Sequence, residues 1–181
     1  MKCSLAAAVA IIAAVSVAGP SVARTHARAS TQGMDPQTFV QQAAAANQFE
    51  IASGQLALQK TQNDKLKQFA QRMIDDHTKI ADQMRQTLQQ ANLPVPLAQL
   101  PPEQQVLLDK LKNKNGAAFD RAYLVDQLSG YRKAVRLIGS YAKSGSNPAL
   151  KKLAENTLPV IKEHARLLAA MPGAGPLTAR R

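Results

Sequence analysis

Between Asp35 and Met171, apolar residues recur every three or four positions in four long stretches. Turn-forming residues separate the stretches at 62–64, 92–102 and 144–148. That spacing places one apolar stripe along each of four helices, and a stripe must be buried against another. Asp35-Pro36 reads as an N-cap followed by proline at the first helical position. Helix one is expected to run to about Thr61 and helix two from about Asp64 to Ala91. The proline-rich crossing "NLPVPLAQLPP" leads to a short helix near 103–112, and Asn115-Gly116 opens helix three over about 117–143. Helix four starts near Pro148 and stops before "PGAGPLTARR". The chain has no Trp, and only 4% of its residues are aromatic. With Leu, Ala, Gln and Lys abundant, helix is favoured over sheet. The fold expected is all-α, an antiparallel four-helix bundle with one longer connection.

The first residues are set apart from this pattern. Lys2 precedes the apolar run "LAAAVAIIAAVSVA", and small-x-small sites follow at Ser16-Val17-Ala18 and Ser21-Val22-Ala23. This is the layout of a secretory signal peptide over residues 1–23, with two candidate cleavage sites. A membrane anchor is the competing reading, but the run falls short of the roughly 20 residues of a span. The chain is therefore expected to be exported, to the periplasm or cell envelope. Residues 24–34 read as a polar linker, 35–171 as the bundle domain and 172–181 as a disordered basic tail. The lone Cys3 leaves with the signal peptide, which excludes thiolate metal sites and cysteine nucleophiles from the mature chain. Removing Lys2 from the 23 Lys and Arg leaves 22 against 12 Asp and Glu, a net charge of +10. Such a protein can adsorb to anionic envelope components. No zinc-finger spacing or aromatic RNA-reading motif points to a specific nucleic acid.

Each helix carries one polar residue at the centre of its apolar stripe. On helix one Glu50 lines up with Phe39, Ala43, Ala46 and Ala57. His77 occupies the same position on helix two, among Leu66, Ala70, Met73, Met84 and Leu88. Tyr131 falls among Leu124, Leu128, Val135 and Ile138, and His164 among Leu153, Val160, Ile161 and Leu168. Glu50 and His77 lie at nearly equal heights on either side of the first turn at about 1.5 Å per residue. Tyr131 and His164 differ by roughly one turn. Two hairpins packed with pseudo-twofold symmetry would bring all four together. In "RMIDDHTKI", Asp75 points away from the stripe and Asp76 lies at its boundary. Arg132, Arg136 and Lys143 are placed on the outward face of helix three, as are Asp126 and Lys133.

Two readings of the inner residues stay open. In one, Glu50, His77, Tyr131 and His164 form a buried hydrogen-bonded cluster that fixes helix register, and the protein acts through its surface. In the other, Glu50, His77 and His164 ligate a divalent metal, for which two imidazoles and a carboxylate suit zinc or iron. Catalysis is not expected, because no nucleophile or phosphate loop is readable. A di-iron centre would need Glu three residues before each His, where Ile74 and Ile161 stand instead. The segments "FVQQAAAANQFEIASGQLA", "LKQFAQRMIDDHTK", "FDRAYLVDQL" and "LKKLAENTLPVIKEH" resemble the bacterial exported family called domain of unknown function 4142. That resemblance covers about residues 36–171 and implies a ferritin-like helical bundle without an established activity. It also implies a histidine at the position of Tyr131, so a metal site of the family would carry over only in part.

Overall fold

The computed structural model describes residues 33–97 and 99–173. Five helices follow one another: α1 (Pro36–Lys60), α2 (Asp64–Gln90), α3 (Pro102–Lys112), α4 (Gly116–Ser144) and α5 (Pro148–Ala169). No strand occurs among the described residues. The expected signal peptide, most of the linker and all but the first two residues of the tail lie outside the described residues.

The helix starts follow from their caps. Asp35 accepts the Thr38 amide at 2.8 Å, and Asn63 accepts those of Lys65 and Leu66 at 3.0 and 3.3 Å. Asn147 accepts the Leu150 amide at 3.1 Å. Each cap satisfies amides that have no partner within their own helix. Just beyond α2, Asn92 takes a positive φ of 52°, a conformation that asparagine tolerates better than most residues. The chain then leaves the helix through the proline-rich crossing.

The packing is that of two hairpins. α1 pairs with α2, and α4 with α5, across short turns; contacts of α1 with α4 and of α2 with α5 close the bundle. α1 and α5 therefore stand on one diagonal and α2 and α4 on the other. One apolar cluster centres on Phe49, Leu66, Phe69, Met73, Phe119, Tyr123 and Leu168. The second, toward the other end, holds Phe39, Met84, Leu88, Ile138, Tyr141 and Leu150. Phe39 and Tyr141 stack there with ring centroids 3.8 Å apart. Each such side chain contributes roughly 1.5–3 kcal/mol by leaving water. Between the two clusters lies the polar layer.

Candidate functional site: a buried polar layer and its cavity

Glu50, His77, Tyr131 and His164 are all buried, as the periodicity predicts. His77, Tyr131 and His164 come together: the two imidazole centroids are 5.4 Å apart, and the Tyr131 ring lies 6.1 Å from His77 and 5.7 Å from His164. Their polar atoms nevertheless go to separate partners.

His77 is held from both sides. Its Nδ1 is 2.8 Å from Asn47 Oδ1, and its Nε2 is 2.9 Å from the Tyr131 hydroxyl. The Asn47 amide also donates to the His77 backbone carbonyl at 2.9 Å. Asn47 thus accepts from the ring and donates to the main chain of the same residue. This arrangement fits the neutral tautomer with the proton on Nδ1, leaving Nε2 to accept from Tyr131. Met73 Sδ, also 2.9 Å from the hydroxyl, competes as a weaker acceptor. Burial depresses the His77 pKa to about 3, so the ring stays neutral. The Tyr131–His77 bond runs along the α2–α4 diagonal.

His164 turns elsewhere. Its Nε2 meets Asp76 Oδ2 at 2.9 Å, and the ring is fully buried while the Asp76 side chain keeps 23% exposure. Asp76, placed by the helical wheel at the boundary and away from the core, therefore closes the layer from the surface side. The wheel angle is right, but a half-buried aspartate reaches inward far enough to accept from an imidazole. Arg72 and Lys79 flank it at 3.4 and 3.9 Å. Desolvation lowers the His164 pKa despite this carboxylate. Desolvation works to raise the Asp76 pKa, but the hydrogen bonds and positive charge of His164 and Arg72 outweigh it and hold the carboxyl below its ordinary value.

Glu50 is partly paired, with Tyr131 and Gln127 in hydrogen-bonding reach of its carboxyl. It is 6% exposed, and its Oε2 has no hydrogen-bond partner. Desolvation pushes its pKa up to about 8, with Tyr131 and Gln127 pulling the other way. It is therefore a protonated acid at neutral pH. Its backbone carbonyl accepts from Ser53 Oγ at 3.3 Å, and Ser53 accepts from Gln127 Nε2 at 2.9 Å. The side chain packs against α4 where Gly130 lacks a Cβ; one built there would stand 3.4 Å from Glu50 Oε1.

Of the expected ligand trio, Glu50 and His164 each keep one unpartnered atom, Oε2 and Nδ1, while both nitrogens of His77 are taken. Both Nε2 atoms are committed, one to Tyr131 and one to Asp76, and the remaining His77 nitrogen is bound to Asn47; of the four imidazole nitrogens only His164 Nδ1 is without a partner. Among the described residues no group of three His, Cys, Asp or Glu side chains is placed to hold a metal ion. Asn47, Gln127 and Ser53 were not legible as site residues. Asn47 lies three residues before Glu50 on the same face, which is the one signal the sequence offers for it.

A cavity of about 490 Å³ opens onto this layer, lined by Glu50, His77 and Tyr131 and continuing between α1 and α4 into the second apolar cluster. Asp126, placed outward by the wheel, is half-buried and lines it, as does the exposed Lys133. Arg136 and Lys143 are exposed as expected; Arg132 is half-buried.

The family model described as domain of unknown function DUF4142 matches residues 21–171. No match is found among curated proteins. Among solved structures, the fold is similar to a DUF305 protein of Streptomyces coelicolor, provisionally described as secreted, at TM-score 0.61 and 16% identity. That match covers 72% of this chain and 87% of the other. A DUF305 fragment from Deinococcus radiodurans is similar at TM-score 0.64 and 16% identity, over 75% of this chain and 95% of that one. At this identity the likeness is one of fold, a helical bundle. With its family model spanning the whole bundle, this chain belongs to the DUF4142 family.

Proposed function

We propose that the protein is an exported, non-enzymatic bundle that works at the cell envelope through its surface, with the polar layer fixing the register of its helices. The observation that carries this reading is the specific pairing of the two imidazoles, His77 with Asn47 and Tyr131 and His164 Nε2 with Asp76, which leaves only His164 Nδ1 without a partner. A general base needs a free nitrogen facing substrate, and a ligand needs a free lone pair. Neither histidine offers Nε2 for that use, and the unpartnered His164 Nδ1 belongs to a buried ring that does not line the cavity. Buried pairings of this kind penalise a slipped register, because a shift strands polar atoms in the core.

Export is supported by the signal-peptide layout of residues 1–23 and by the provisional description of the Streptomyces coelicolor neighbour. No helix among the described residues is long and apolar enough to cross a membrane. The surface partner fitting a chain with 23 Lys and Arg against 12 Asp and Glu is an anionic envelope component. Arg136 and Lys143 on α4 present exposed cations to it. The test is co-sedimentation with vesicles containing anionic lipid. Binding at low ionic strength and release in moderate salt is expected; no binding even at low salt would refute the surface role.

The divalent-metal alternative requires His77 to abandon a partner and His164 to ligate through Nδ1. Titration of the protein with Zn or Fe salts is expected to give no saturable heat and no rise in melting temperature. A stoichiometric stabilisation lost in His77→Ala would reinstate it.

A further inference from the structure

The cavity beside Glu50 has a chemical character that the surface role does not use. Its volume of about 490 Å³ is that of a small-molecule site. The inner wall is apolar, with Phe39, Ile80, Met84, Ile138 and Leu153 all buried. Three polar side chains on its lining carry a buried oxygen with no partner: Glu50 Oε2, Thr157 Oγ1 and Gln104 Oε1. Glu50 and Thr157 are 6% and 5% exposed, so water outside the bundle does not satisfy them. Two of these oxygens can only accept when Glu50 is ionised, and the third can do either. The charge on the lining also inverts that of the molecule. Even with Glu50 neutral, Glu103 and Asp126 face one Lys133, in a chain whose formal net charge is +11.

We propose that this cavity binds a small organic ammonium ion bearing an apolar chain, with Glu50 as its counter-ion. An ammonium group is a donor only, which complements oxygens that lack donors. Its hydrocarbon chain would lie along Phe39, Met84 and Ile138. An anionic or purely accepting head group would leave the same oxygens unpaired and add repulsion.

Entry of the cation ionises Glu50. The carboxyl O–H bond breaks, the proton passes to solvent and the carboxylate pairs with the ammonium group. The titratable neighbours do not take up that change. His77 on α2 and His164 on α5 have depressed pKa values, while Tyr123 and Tyr131 on α4 have raised ones, so all four stay neutral. Asp76, Glu103, Asp126 and Lys133 complete the charged surroundings on α2, α3 and α4. Binding should therefore release close to one proton per cation near pH 7.

The experiment is calorimetry on the full chain with n-hexylamine, n-hexanol and hexanoate as probes, in two buffers of different ionisation enthalpy. Saturable 1:1 binding of hexylamine, at least tenfold tighter than hexanol and accompanied by proton release, is expected. Hexanoate should not bind there, although overall charge favours it. Glu50→Gln should abolish the amine preference and the proton release; the neutral amide approximates the protonated acid in shape, so the fold should be kept. Ala46→Phe, which fills the cavity from α1, should remove binding of all probes while leaving vesicle binding intact. Equal or tighter binding of hexanoate or hexanol, no saturable binding of hexylamine, or an amine preference surviving in folded Glu50→Gln would overturn the proposal.

Discussion

At the residue scale, Asn47 has the largest structural role that the apolar stripe did not announce. Removing its side chain leaves the His77 Nδ1–H and carbonyl short of partners in the core. Asn47→Ala is expected to cost about 2–3 kcal/mol of stability by urea denaturation, and Tyr131→Phe about 1–2 kcal/mol. The titration of the layer gives a pH profile with two opposing arms. His77 has a folded pKa of about 3, below its ordinary 6.5, so the unfolded chain binds the extra proton. Its contribution is present above pH 6.5 and is lost as pH falls toward 3. His164, also depressed, acts in the same direction. Glu50 is raised from 4.5 to about 8, so here the folded chain holds the extra proton. Its contribution is full below pH 4.5 and is lost as pH rises through 8. Between about pH 6.5 and 8 only the Glu50 arm operates among these three groups, and stability should fall with rising pH. Melting temperatures across that window should decline in the wild type and flatten in Glu50→Gln.

At the scale of the elements, two helical glycines test how tightly the hairpins are packed. A Cβ at Gly54 of α1 would stand 3.0 Å from Ile74 Cγ1 and 3.2 Å from the Ala70 carbonyl oxygen on α2. The carbonyl cannot rotate away, so α1 would have to move off α2. Gly54→Ala is expected to destabilise by about 1–3 kcal/mol through overpacking, despite alanine's better helix propensity. At Gly139 of α4 the nearest atoms are Leu158 methyls at 3.8 and 3.9 Å, an ordinary contact. Gly139→Ala should stabilise by about 0.5–1 kcal/mol. Thermal melts of both variants decide the contrast. The short helix α3 is anchored rather than free. Lys60, at the end of α1, donates to the carbonyls of Lys112 and Lys114 at 2.5 and 3.2 Å and to Asn115 Oδ1 at 3.1 Å. These bonds satisfy carbonyls at the α3 terminus and hold the longer connection against the bundle.

At the scale of the whole molecule, charge is divided between surface and interior. The outside is strongly basic, whereas the lining of the cavity is acidic on balance. Surface binding should therefore be screened away by salt, while a cation held beside Glu50 should resist the same salt. Measuring vesicle and hexylamine binding in parallel across a salt series separates the two. The fold contributes by drawing the lining of the cavity from all five helices.

The sequence by itself determined the helices, their caps and the inward direction of Glu50, His77, Tyr131 and His164. These follow from a 3.6-residue period and local hydrogen bonding, which act over a few neighbours. The basic balance of the chain was legible directly from its composition. What only the tertiary structure decided is the pairing inside the layer. A helical wheel gives an angle but neither the reach of a side chain nor the helix that meets it. Asp76 therefore looked detached, Asn47 passed unnoticed, and Glu50 was grouped with histidines that are committed elsewhere. The cavity belongs to the same category, because residues of all five helices line it and no single helix encodes it.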